Sequence, residues 1–157
     1  MKIVIANDHT GVQMKNEIRF FLEEKGCILT DIGVDEGEKC DYPVISEKAA
    51  KTVAAGDADL GIIICGTGVG SSIVANKIKG IRAVVCSEPY SAQLSREHNN
   101  SNILALGARV VGIELAKMIT NCWISAKFKG GRHQERVDMI ASIECGIQTA
   151  RSQTDFL

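Results

Sequence analysis

Five short apolar runs recur along the chain, each followed by a stretch long enough for a helix: KIVIA (2–6), CILTDI (27–32), LGIIIC (60–65), RAVVC (82–86) and NILAL (102–106). Runs so short, β-branched and poor in polar residues suit strands covered on both faces, as in a parallel sheet. The stretches between them read as helices over 11–25, 43–56, 70–79, 88–98 and 112–124, with a last helix over about 132–150. Helix ends carry matching punctuation. Ser87 and Pro89 stand where an N-cap and a first turn belong, and Asp41, Tyr42 and Pro43 open the second helix in the same way. Gly26, Gly56 and Gly80 lie just past helix ends, where a left-handed residue is wanted. In the last helix Val137, Ile140, Ile143, Glu144 and Ile147 form a mostly apolar stripe. Alternating units of this kind build a three-layer α/β/α sandwich with right-handed crossovers. The expected architecture is a five-stranded parallel, Rossmann-like sheet in the flavodoxin-like order 2-1-3-4-5, one domain over 1–150 and a tail over 151–157.

Composition narrows the partners. The 157 residues are 45% hydrophobic and 24% charged, enough for one sizeable core. A net charge of −1 speaks against nucleic acid or a membrane surface as partner. The opening MKIVIANDHTG is too short in apolar residues for a signal-peptide core, and nothing elsewhere approaches a membrane span, so the expectation is a cytoplasmic protein. Cysteines 27, 40, 65, 86, 122 and 145 are scattered without a CxxC pair, and His9, His98 and His133 add no zinc-ligand spacing. Neither disulfides nor a metal are expected, and most of these thiols read as buried small apolar residues.

In such a sheet the crevice at the carboxyl ends of strands 1 and 3 is the switch point where ligands usually bind. Strand 1 delivers Asp8 and His9 there, and strand 3 delivers Cys65, Thr67 and the loop CGTGVGSS. Two polar clusters distant in sequence thus converge. The loop is no P-loop, and it fails the dinucleotide fingerprint because Ser71 stands where a third glycine belongs. A structural turn and a nucleotide cradle are possible uses. The favoured one is an anion nest, in which backbone N–H groups of residues 66–71 face a negatively charged oxygen.

Cys65 stands directly before that nest, where a thiolate could attack a carbonyl or remove a proton. A thiol hydrolase would need a paired histidine, and EHNN (97–100) offers His98 and Asn99. His98 could equally be a solvated helix-end residue. His9 sits better, whereas His133 has no comparable case. Arg132 and Arg136, at i and i+4, share one face of the last helix, and Arg109 follows strand 5. With a thiol, a nest and two histidines, these arginines suggest a phosphate grip.

NDHTG, CDYP, CGTGVG, CSEPYSAQLSREHN, GARVVG and GGRHQERV recur in order from residue 7 to about 140. Together they closely resemble type B ribose-5-phosphate isomerase. The resemblance implies an aldose–ketose isomerase of the pentose phosphate pathway, converting D-ribose 5-phosphate to D-ribulose 5-phosphate through ring opening and a cis-enediolate, with no cofactor. Carried over by position, Cys65 matches the base between C1 and C2, and His98 the ring-opening group. Asp8, with Thr67 in the same crevice, assists at the sugar oxygens. Gly66, Thr67, Gly68, Val69 and Gly70 match the enediolate nest. His9, Arg132 and Arg136 match phosphate binders, Arg109 lies in the site, Asn99 contacts substrate, and Tyr42 is a candidate for stacking on the sugar. Family sites are shared across a two-fold axis, which implies a homodimer or a dimer of dimers. Two rivals stand beside this reading: an isomerase of a six-carbon substrate such as allose or galactose 6-phosphate, and a non-catalytic sugar-phosphate or nucleotide-binding module.

Overall fold

A computed structural model describes residues 1–147. Five strands, β1 (Lys2–Asn7), β2 (Ile28–Asp31), β3 (Leu60–Cys65), β4 (Ala83–Val85) and β5 (Ile103–Gly107), alternate with helices α1 (Val12–Glu24), α2 (Tyr42–Ala54), α3 (Val69–Ala75), α4 (Pro89–Asn99) and α5 (Ile113–Ser125). A sixth helix, α6 (Arg132–Glu144), follows. It is shorter than expected, and the proposed tail from 151 lies outside the described residues.

All strand pairs are parallel, in the order β2-β1-β3-β5-β4. This corrects the expected 2-1-3-4-5: the last two strands exchange places. Burial explains why. β5 is buried at every residue, as an inner strand must be, whereas in β4 Ala83 and Val84 are half-covered and Val85 is exposed. A short, partly wet strand is tolerated at an edge.

The apolar alternation of the inner strands feeds two cores. Ile3, Ile5, Ile62, Ile64, Leu104 and Leu106 face α1, α4 and α5, with Trp123 wholly buried among them. Val4, Ala6, Ile63 and Ile103 face α2 and α3. Each fully buried Ile or Leu contributes roughly 1.5–3 kcal/mol of hydrophobic stabilisation, and their placement on both faces makes the sheet the rigid middle layer. Helix caps mostly follow the punctuation. Gly26 and Gly56 take left-handed φ values of 76° and 81°. The cap of α4, however, is Glu88 rather than Ser87: its carboxylate accepts the N–H groups of Tyr90 and Ser91 at 2.6 and 2.8 Å.

All six cysteines are free. Only Cys65 and Cys86 are buried, fewer than the sequence suggests: Cys27 and Cys40 lie at the margins of the cores, Cys122 is half-buried and Cys145 is exposed at the end of α6. Burial, helped by the charge of Glu88, pushes the Cys86 thiol up to about 11.

Candidate active site

The carboxyl ends of β1, β3 and β5 open into a cavity of about 460 Å³ lined by Asp8, His9, Thr10, Tyr42, Cys65, Gly66, Thr67, Val69, Gly70 and Arg109. Cys65 is the last residue of β3 and is 4% exposed, so its sulfur sits at the cavity floor. The N–H of Gly68 donates to Cys65 Sγ at 3.2 Å. Gly68 can do this because it takes φ 77°, a turn in which any Cβ would fall 2.8 Å from Val85 and 3.0 Å from the Leu106 carbonyl carbon. The N–H of Val69 donates to Thr67 Oγ1 at 3.4 Å. The nest is therefore not a row of six open donors: two of its N–H groups already serve the loop itself.

β1 supplies the opposite wall. Asp8 is buried, and its Oδ1 accepts both the backbone N–H of Thr10 at 2.8 Å and the Thr10 hydroxyl. Thr10 is a contact that the sequence reading passed over, although it stands inside NDHTG. His9 is exposed, with Nδ1 3.4 Å from the Cys40 carbonyl oxygen. The loop bearing Cys40 is in turn anchored beneath. Asn7 Nδ2 donates to the carbonyls of Asp8 and Val34, at 2.8 and 3.1 Å. Lys15, almost wholly buried, donates to the Val34 carbonyl at 3.1 Å and meets Asp35 at 2.8 Å and Asp31 at 3.1 Å. Burial alone would lower the Lys15 pKa, but the two carboxylates outweigh it and raise the group above its ordinary value.

Two further close approaches shape the cavity. Tyr42 lies against Gly70, where an added Cβ would meet the phenol ring at 2.6 Å. Arg109, just after β5, lies over Gly66, and its N–H donates to the Gly66 carbonyl at 3.0 Å.

His98, Asn99, Arg132 and Arg136 are elsewhere. A helix between parallel strands starts at their carboxyl edge and returns to the amino edge. Eleven-residue α4 thus carries His98 and Asn99 about 16 Å back from the edge where Cys65 stands. Reciprocal bonds between Arg82 and Asn102, at 2.8 and 3.1 Å, join the starts of β4 and β5, and Arg82 Nε holds that end of α4 there through the Asn99 and Asn100 carbonyls. α6 begins beside it. His133 stacks on His98 with ring centroids 4.2 Å apart and the planes 1° from parallel, and Arg132 and Arg136 flank this pair on α6. His133 carries no role in the motif pattern; only the fold reveals its partner. Within one chain, then, the expected residues divide into two groups on opposite edges of the sheet.

The comparisons with known proteins identify the family. The Ribose/Galactose Isomerase family matches residues 3–140. The chain is 57% identical over 143 residues to ribose-5-phosphate isomerase B of Escherichia coli, covering 91% of this chain and 96% of that protein. It is 43% identical over 145 residues to the D-erythrulose-4-phosphate isomerase of Pectobacterium atrosepticum, covering 92% and 95%. The solved structure of Clostridium thermocellum ribose-5-phosphate isomerase B superposes with a TM-score of 0.91 at 51% identity, over 93% of this chain and 99% of that one. The chain belongs to the ribose/galactose isomerase family and is a sugar-phosphate isomerase that interconverts an aldose and a ketose.

Proposed function

We propose that the chain interconverts ribose 5-phosphate and ribulose 5-phosphate, with Cys65 as the base. The observation that carries this reading is the floor of the cavity: a buried thiol beside a glycine loop, between the Asp8 wall and Arg109. As a thiolate, Cys65 Sγ takes the proton from C2 of the opened aldose. The C–H electron pair becomes the C1–C2 double bond, and charge develops on O1 of a cis-enediolate. Backbone N–H groups of residues 66–70 stand where that charge can be stabilised without reorganisation. Asp8 and Thr67 serve the proton exchange between O1 and O2, and the proton held by sulfur returns to C1. His9 and Arg109 bind at the phosphate end. The higher identity to a ribose-5-phosphate enzyme than to an erythrulose-4-phosphate enzyme supports the pentose as substrate.

Ring opening needs a group that gives a proton to the ring oxygen and takes one from the anomeric hydroxyl, a task suited to imidazole. His98 is assigned to it, with Asn99 on the sugar and Arg132 and Arg136 on the phosphate. Because these residues lie at the far edge of their own chain, they serve the cavity of a second copy. Exposed Val69 and Ile73 on α3 and Val85 on the edge strand give that copy an apolar surface next to the cavity.

Turnover of ribose 5-phosphate, with allose 6-phosphate alongside, tests the substrate. A preference for the pentose is expected; a preference for the hexose would replace the substrate and keep the mechanism. Cys65→Ala is expected to lower kcat by about a thousandfold or more while leaving substrate binding within a few-fold. Substantial turnover by the folded variant would remove Cys65 as the base.

A further inference from the structure

The turn that ends α4 is gripped by two guanidinium groups to which the chemistry above gives no task. Arg82 Nε donates to the carbonyls of Asn99 and Asn100, both at 3.0 Å, and its Nη2 donates to Asn100 again at 2.9 Å. Its Nη1 reaches the Gly80 carbonyl at 3.4 Å. Arg96 Nη1 donates to Asn100 Oδ1 at 3.1 Å and to the Ser101 carbonyl. The Arg96 guanidinium also lies 5.7 Å from the ring centroid of Trp123, and its buried Nε has no hydrogen-bond partner. Trp123 Nε1 donates to Ser101 Oγ at 2.8 Å, so the same turn is held from below. Asn100 itself takes φ 48°, the one left-handed residue other than glycine among the described residues.

A helix C-terminus leaves carbonyls unpaired and favours a nearby cation, and one exposed lysine would meet both needs. Here there are two guanidiniums, both partly buried, whose hydrogen bonds go to carbonyls and an amide rather than to carboxylates. Burial lowers the pKa of each, and the charge of Arg82 lowers that of Arg96 further; only Glu144 acts in the other direction, on Arg82. So costly an arrangement gives more than a cap does. A planar fork on successive carbonyls fixes the orientation of the peptide planes that immediately follow His98, which a point charge on a flexible stem cannot do.

We propose that Arg82 and Arg96 are positioning residues for ring opening: by gripping the carbonyls of Asn99, Asn100 and Ser101 they set His98 and Asn99 in the geometry the neighbouring copy's cavity requires. The proposal rests on the assignment of His98 to ring opening. Displacement of a reacting group by about 1 Å can cost on the order of a hundredfold in rate, so loosening this turn is felt at His98 before it is felt in the fold.

The test is a cycle of Arg82→Lys, His98→Asn and the double variant, with melting curves, kcat and KM measured for each. Arg82→Lys is expected to melt cooperatively, to lose about tenfold or more in kcat/KM for ribose 5-phosphate, and to lose less than about threefold for D-erythrose 4-phosphate, an aldose whose phosphorylated O4 cannot close a furanose ring. In the His98→Asn background the same change is expected to alter ribose 5-phosphate turnover by less than about twofold, because residues acting as a unit are not additive. Asn100→Gly, which keeps the left-handed backbone and removes one Arg96 contact, is expected to shift the two substrates in the same unequal way. Equal losses in both backgrounds, equal losses for both substrates, or no loss would overturn the proposal, as would failure of both variants to melt cooperatively. If His98→Asn alone leaves ribose 5-phosphate turnover intact, the assignment of His98 falls first and the proposal with it.

Discussion

His133 shows how much a single side chain can depend on its fold. It is 8% exposed, stacked on His98 and next to Arg132, Arg136 and Lys129. Burial first, then those positive neighbours, lowers its pKa from 6.5. Because the folded value lies below the unfolded one, the unfolded chain binds the proton more readily. The stability associated with neutral His133 is therefore complete above about pH 6.5 and is lost as pH falls through the folded value. The melting temperature is expected to decline below that pH, and His133→Asn should remove this part of the decline. An unchanged slope in the variant would assign the acid sensitivity to another group. Nothing in GGRHQERV marks His133 out from the arginines beside it, since its partner stands 35 positions away, on another helix. Cys65 and Asp8 were legible by contrast, because strand ends at a switch point are places a sequence can identify.

Between elements, the tightest approach of backbone to backbone lies where the β5 end meets the glycine loop. An added Cβ on Gly107 would fall 2.7 Å from the Thr67 carbonyl oxygen and 2.8 Å from its carbon, both backbone atoms. Gly107→Ala must push the loop away from β5, against the bond from the Ala108 N–H to the Cys65 carbonyl at 2.8 Å. The expected cost is about 1–3 kcal/mol in denaturant unfolding, with a fall in kcat larger than the rise in KM. A variant with normal kcat would mean that the loop's place relative to Cys65 is not critical. The same strand shows where pattern reading stops. All five strands were legible as apolar runs, each within one residue of its observed ends; in β1, β3 and β5 the reason is that both faces are covered. Their lateral order was not, since RAVVC and NILAL look alike until the exposure of Val85 and the complete burial of β5 separate edge from interior. The reach of α4 was open to inference from parallel topology alone; which chain its far end serves was not.

For the whole molecule, the assignment of His98 to a second copy gives a direct prediction. Cys65→Ala and His98→Asn should each be inactive on ribose 5-phosphate alone. Mixed one to one and allowed to exchange subunits, they should recover about a quarter of native activity, because half the dimers are mixed and each of those holds one intact site. No recovery, with exchange shown by mass measurement, would mean that each chain completes its own site. The span of α4 across the sheet has one more consequence. On that assignment a lone chain, whose two chemical groups face away from each other, is expected to be inert until it meets another, and its rate per milligram is expected to fall on dilution below the dissociation constant. Concentration becomes a reagent in the reaction, and an activity titration becomes a measure of how tightly the copies hold.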